Sequence, residues 1–179
     1  MSLDPIVGKA ISALFSLIFL TGAWDKLRDR HVFAGVVQGY EVLPAAWAFA
    51  ASLLIATVEL FLGLFLLFPG AVPAAPWLGL GFLSMVTAVL VINLLRGRTD
   101  LDCGCGGASA DQQISWGLVA RNLGLGMLLG LAGAHSTLRD TGWADVLLTI
   151  FAAVTAFGLY AAANQLLSNY PRLRQLEFS

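Results

Sequence analysis

Cys103 and Cys105 are the only thiols in the 179-residue chain, and a single glycine, Gly104, separates them. A Cys-x-Cys pair can close a small intramolecular disulfide, and glycine at the middle position permits the tight backbone such a ring needs. A ring that small is expected to be strained, and strain makes a disulfide easier to reduce and a better exchanger. Asp102 would raise a neighbouring thiol's pKa, whereas Arg96 and Arg98 would lower it. Gly106 and Gly107 follow, leaving room for another protein's thiolate to approach. Redox exchange is the leading reading. A static clip that pins a loop is the plainer one. Metal binding is a third, but two thiols fall short of a tetrahedral ligand set, and the histidines are His31 and His135 alone. The candidate redox site is therefore Cys103 and Cys105, with no metal assigned.

Such a pair needs a support, and the composition says what kind. Hydrophobic residues make up 58% of the chain and charged residues 12%, with mean hydropathy +0.81. A soluble domain carries about twice that charged fraction. The net charge of −1 gives no case for nucleic acid as a partner. Apolar residues come in blocks of about twenty, the length a helix needs to cross the bilayer core. Open sheets cannot satisfy their backbone in lipid, and the blocks show no period-two alternation. The expected fold is all-α, an integral membrane helical bundle of about five transmembrane helices, four forming a core plus one, in a single membrane domain over 1–179. Spans are expected at 6–24, 45–68, 77–95, 116–134 and 143–167. The first block lacks a basic n-region and a clean cleavage site, so it reads as a retained span.

The cysteine loop, 96–115, lies between the third and fourth spans. After the first span comes a charged connection, Asp25 to His31, then a mildly amphipathic piece from Phe33 to Leu43. That piece reads as a short interfacial helix ended before Pro44. All six prolines fall at the ends or outside of the spans, and all five tryptophans fall at span termini, where indoles prefer the headgroup region.

Polar residues inside spans are expensive and invite a functional or pairing explanation. Glu59 lies in the middle of the second span; Arg121 and Asn122 lie one to two turns inside the fourth; Asn93 closes the third. A Glu59–Arg121 pair would neutralise both charges, and an interhelical clamp competes evenly with a role in proton or electron transfer. Gly126, Gly130 and Ala134 form a small-residue stripe that reads as packing. Asn164 and Gln165 read as interfacial.

Side is a separate matter. Lys26, Arg28, Arg30, Arg96, Arg98, Arg172 and Arg174 fall on the side of the cysteine loop, against Lys9 and Arg139 on the other. The positive-inside rule therefore places the loop in the cytoplasm.

Several stretches together resemble the MauE family, within the wider MauE/DoxX group of redox-associated membrane proteins. They are Gly22-Ala23-Trp24-Asp25-Lys26-Leu27, Tyr40-Glu41-Val42-Leu43-Pro44, Glu59-Leu60 with Gly63, Cys103-Gly104-Cys105-Gly106-Gly107, Ser115-Trp116 and Arg121-Asn122-Leu123. Gly106 departs from the aromatic common in the family. The resemblance implies a bacterial inner-membrane protein that helps to mature the exported small subunit of methylamine dehydrogenase. It implies a thioredoxin-like, MauD-type partner, with Cys103 and Cys105 exchanging and Glu59 and Arg121 supporting the bundle; Asp102, Gly104 and Asn122 are supporting candidates by their place beside these residues. Maturation of an exported protein wants the loop in the periplasm, against the Lys/Arg count, and the periplasm is the expectation taken here. Two other functions stay open: a non-enzymatic membrane scaffold, and a quinone-linked oxidoreductase. No haem-ligand pair or dinucleotide fingerprint is present, and a quinone, the cofactor of the last reading, has no reliable sequence signature; no cofactor is assigned.

Overall fold

The structure is a computed structural model that describes residues 5–68, 72–104, 112–134 and 142–177, leaving aside the side chains of 5 and 170–177. Cys105, Gly106, Gly107, Pro69, Gly70, His135 and Arg139 lie outside the described residues. Six helices follow in order: α1 (Pro5–Arg28), α2 (Arg30–Gly39), α3 (Ala45–Leu67), α4 (Ala75–Leu95), α5 (Trp116–Ala134) and α6 (Trp143–Glu177). Five of them, all but α2, are long and apolar enough to cross a membrane. The protein is a multi-pass membrane helical bundle.

Prolines punctuate the bundle as helix chemistry requires. Pro44 is the N-cap of α3, with an extended backbone (φ −54°, ψ 140°). Pro76 sits in the first turn of α4, where its missing N–H costs nothing. Pro171 differs: α6 runs through it to Glu177, past the predicted span end at 167. The first boundary also differs from expectation. The charged connection is helical, because Asp25 to Arg28 holds neither proline nor glycine, and α1 breaks only at Asp29 (φ −113°, ψ 48°). The amphipathic helix accordingly starts at Arg30 rather than Phe33.

In the bundle α1 packs on α3, α5 and α6, and α4 on α5 and α3. Close approach between α1 and α3 depends on glycine. A Cβ at Gly63 would stand 2.8 Å from Leu20, and Gly63 O accepts a hydrogen bond from the buried Ser16 hydroxyl (2.8 Å). The Gly126 stripe of α5 meets Leu80 of α4, as a packing role requires. The five tryptophans are 52 to 80% exposed at helix ends, which suits indoles at the two membrane interfaces. On α6, Leu147, Phe151 and Val154 face outward, so this helix is the peripheral one beside the other four.

Two apolar clusters fill the interior. One holds Phe15, Phe19, Leu62, Leu66 and Leu129. The other holds Tyr40, Leu90, Leu94, Cys103, Ile114 and Leu118. Along α4 and α5 a polar layer separates them, where Asn122 donates to the Thr87 hydroxyl (3.2 Å).

Candidate functional site

The stretch before Cys105 is a short strand-like piece clamped from several directions. Cys103 N–H donates to the Gln112 carbonyl (2.8 Å) and Ile114 N–H to the Leu101 carbonyl (2.9 Å), which joins the two arms of the loop. Asp102 pairs with Gln113 in an antiparallel bridge. The Asp102 carboxylate accepts from Gly104 N–H (3.1 Å), an Asx-turn that reverses the chain at the cysteine. Gly104 completes the turn with φ +65°. Asp102 thus acts on the fold of the turn, beyond the charge effect its position predicts.

Cys103 is disulfide-bonded and only 5% exposed; the sequence holds one other cysteine. Tyr40, at the end of α2, donates its hydroxyl to the carbonyls of both Asp102 (3.0 Å) and Cys103 (3.1 Å). Burial, and secondly the Asp102 carboxylate, push the Tyr40 hydroxyl well above the ordinary phenol range, so it stays a donor. A salt bridge from Arg98 to Glu41 (2.8 Å) ties the loop to the same turn. Phe33 and Val36 of α2 cover Gly104 so closely that a Cβ there would meet them at 3.0 and 3.2 Å.

A second polar cluster supports the other arm. Gln112 Nε2 donates to Asn164 Oδ1 of α6 (3.2 Å), and Arg121 Nη1 donates to the same oxygen. Arg121 Nε and Nη2 both reach Asn122 Oδ1 (3.2 and 3.0 Å), and its guanidinium lies 5.7 Å from the Tyr160 ring centroid. Two buried acceptors near the loop, Asn93 Oδ1 and Gln112 Oε1, have no hydrogen-bond partner among the described residues.

Glu59 does not pair with Arg121. Its carboxylate binds Lys26 Nζ of α1 at 2.7 Å, both side chains being about nine-tenths buried. The reason is geometric. Lys26 belongs to the last turn of α1, one helical turn below Gly22, where a Cβ would stand 2.6 Å from Glu59 Oε1. Lys26 also lies 5.5 Å from the centroid of Phe33, the ring that covers Gly104. One aromatic ring therefore separates the ion pair from the cysteine turn.

A cavity of about 1730 Å³ joins these groups: Glu59, Lys26, Cys103, Gly104, Arg121 and Asn164 all line it. Residue reading singled out Glu59, Arg121, Asn122 and Cys103, which the fold brings to one cavity, except that Asn122 belongs equally to the polar layer. It missed Lys26, Tyr40, Gln112 and Asn164. Lys26 and Tyr40 stand inside stretches that carry the family resemblance. Asn164 stands near the end of the fifth span, where an interfacial role is expected, and nothing in the sequence marks Gln112. His31 stacks on Phe49 of α3 (5.4 Å, 22°).

Comparison with known proteins bears on the same residues. The profile of the family described as "Methylamine utilisation protein MauE" matches residues 4–135, ending just past α5. The chain is 35% identical over 166 residues to the methylamine utilization protein MauE of Paracoccus denitrificans, covering 92% of this chain and 89% of that one. It is 32% identical over 164 residues to the MauE protein of Paracoccus versutus (91% and 88%) and 32% identical over 162 residues to that of Methylorubrum extorquens (89% and 87%). No solved structure matches the chain.

Proposed function

This chain belongs to the MauE family, and from that premise we propose that it serves methylamine utilisation from the bacterial inner membrane. It acts as a thiol–disulfide factor in maturing the exported small subunit of methylamine dehydrogenase, together with a thioredoxin-like partner. The observation that carries this reading is the state of Cys103. Its backbone N–H and C=O are both bonded, its side chain is buried, and α2 covers the next residue. A buried sulfur is a poor target for an incoming protein thiolate, since exchange depends on access. Cys105 is then the sulfur attacked by the partner, and Cys103 the leaving and resolving thiol.

The test is trapping. Cys103→Ser, with Cys105 free, should accumulate a mixed disulfide with the thioredoxin-like partner, and Cys105→Ser should not. Both variants should stop small-subunit maturation. Normal maturation in both would show that the pair is a clip and the protein a scaffold.

A further inference from the structure

The cavity beside Cys103 is large and open on one side. Protein interiors are close-packed, and sites for drug-sized ligands run to about 300–1,000 Å³, against about 1730 Å³ here. Leu54 and Phe61 of α3 and Leu78 and Met85 of α4 line it while being 49 to 66% exposed. The cavity therefore opens on the lipid-facing surface of these two helices. A ligand that enters there is dissolved in the membrane, and the volume fits a head group with a long apolar tail.

The polar end of the cavity specifies the head group. Arg121 is a cation inside the α5 span, half-buried. Among the described residues it bonds to amide oxygens of Asn122 and Asn164 and lies over the Tyr160 ring, with no carboxylate partner. An intramembrane cation without a counter-charge is costly and marks a ligand or pathway. Its guanidinium carries five N–H donors, more than the three bonds formed to the two asparagines. Arg121 stands five residues into α5 from the interfacial Trp116, about 7–8 Å along the helix. A phospholipid phosphate belongs at the headgroup level, and drawing it to that depth costs desolvation. A neutral ring bearing carbonyl oxygens reaches the same depth cheaply and accepts from the guanidinium.

We propose that this cavity binds a prenylated quinone, its ring carbonyl at Arg121 and its tail along the α3–α4 opening, and that the quinone takes the electrons of the reduced cysteine pair. The inference rests on the thiol–disulfide reading above. The dithiol of Cys103 and Cys105 loses two electrons and two protons as the S–S bond forms, and the quinone gains both electrons and both protons to become the quinol. Cys103 lines the cavity, while Cys105 serves the protein partner. Asn164 connects the halves: its Oδ1 accepts from Arg121 and from Gln112, whose carbonyl holds the Cys103 N–H. Charge that develops on the quinone oxygen during reduction is stabilised by the guanidinium already in place.

The experiment uses the whole protein in lipid nanodiscs, reduced, freed of reductant and kept anaerobic. A short-chain ubiquinone is added, and quinol and free thiols are followed together. Quinol should appear mole for mole with the disulfide. Arg121→Gln should raise the KM for the quinone about tenfold, the loss of a hydrogen bond to a charged group, with Arg121→Lys between it and the wild type. A photoreactive quinone analogue applied to the unaltered protein should label α5 or α6 near Arg121 and Asn164, which keeps the test decisive if the variants fail to fold. Thiols that exchange with thioredoxin but leave the quinone oxidised would overturn the quinone site and leave the proposed function standing. Thiols inert to both would overturn the two together. An anionic phospholipid retained at Arg121 and not displaced by quinone would also overturn the site.

Discussion

Gly104 carries two constraints at once. Its φ of +65° lies where a side chain is penalised, and Phe33 and Val36 occupy the space a Cβ would need. Gly104→Ala should cost about 1–2 kcal/mol for the left-handed backbone alone, with more for displacing Phe33. A detergent-unfolding titration of the purified protein reads this; an unshifted midpoint would contradict the docked turn. Tyr40 is the other residue on which the turn depends. Its phenol pKa is raised in the folded state by burial and then by Asp102. The sign follows: its contribution is full below the unfolded value of about 10, and is lost as the pH climbs from there through the folded value. Tyr40→Phe should cost about 0.5–1.5 kcal/mol and flatten the alkaline part of the stability curve, as hydrogen exchange at Cys103 measured against pH would show. That glycine was needed between the cysteines is visible in the residue string. That Phe33 and Tyr40 enforce the turn is not, because they lie some sixty to seventy residues earlier and meet it only through the fold.

At the scale of elements, the Lys26–Glu59 pair joins α1 to α3 with little solvent to screen it. Removing one partner leaves an uncompensated buried charge, a loss of about 3–5 kcal/mol in comparable pairs. Lys26→Met and Glu59→Gln should each destabilise the bundle by an amount in that direction, and the double variant by clearly less than their sum. A double-mutant cycle on unfolding in detergent measures it; additive losses would mean that the two charges are independent. The cost of Glu59 was legible from its place in an apolar block. Its partner was not, because the apolar block ends at Trp24 and Lys26 falls in the charged stretch beyond it. The spacing Gly22-x-x-x-Lys26 held the missing signal: residues four apart share a helix face, so the glycine that admits Glu59 points to the lysine that binds it. The stretches that carry the family resemblance resolve in the same way. Gly22 to Lys26 meets Glu59, while Tyr40 and Glu41 meet the cysteine loop.

At the scale of the molecule, five apolar helices put the cysteine loop, α2 and the C-terminal end of α6 on one side of the membrane. If the cysteine loop faces the periplasm, as maturation of an exported protein requires, a membrane-impermeant thiol reagent applied to intact cells after reduction should label the protein. Protection of both cysteines until lysis would place the loop in the cytoplasm, as the Lys/Arg distribution has it. Two of the cations behind that distribution are engaged by carboxylates, Lys26 by Glu59 and Arg98 by Glu41, a pairing that a charge count along the chain does not display. The bundle was readable from block length, proline and tryptophan alone, since lipid admits few alternatives. The cavity was not, since it arises where residues of all six helices come together without closing on one another. Asn164 adds a temporal consequence. Its contact with Gln112 spans 52 residues, so during synthesis the cysteine arm emerges well before the last helix arrives to brace it. At ribosomal speeds of about 5–20 residues per second, the loop spends roughly 3–10 s unbraced on that side, and the final turn of the bundle is finished only when the last-made helix is in the membrane.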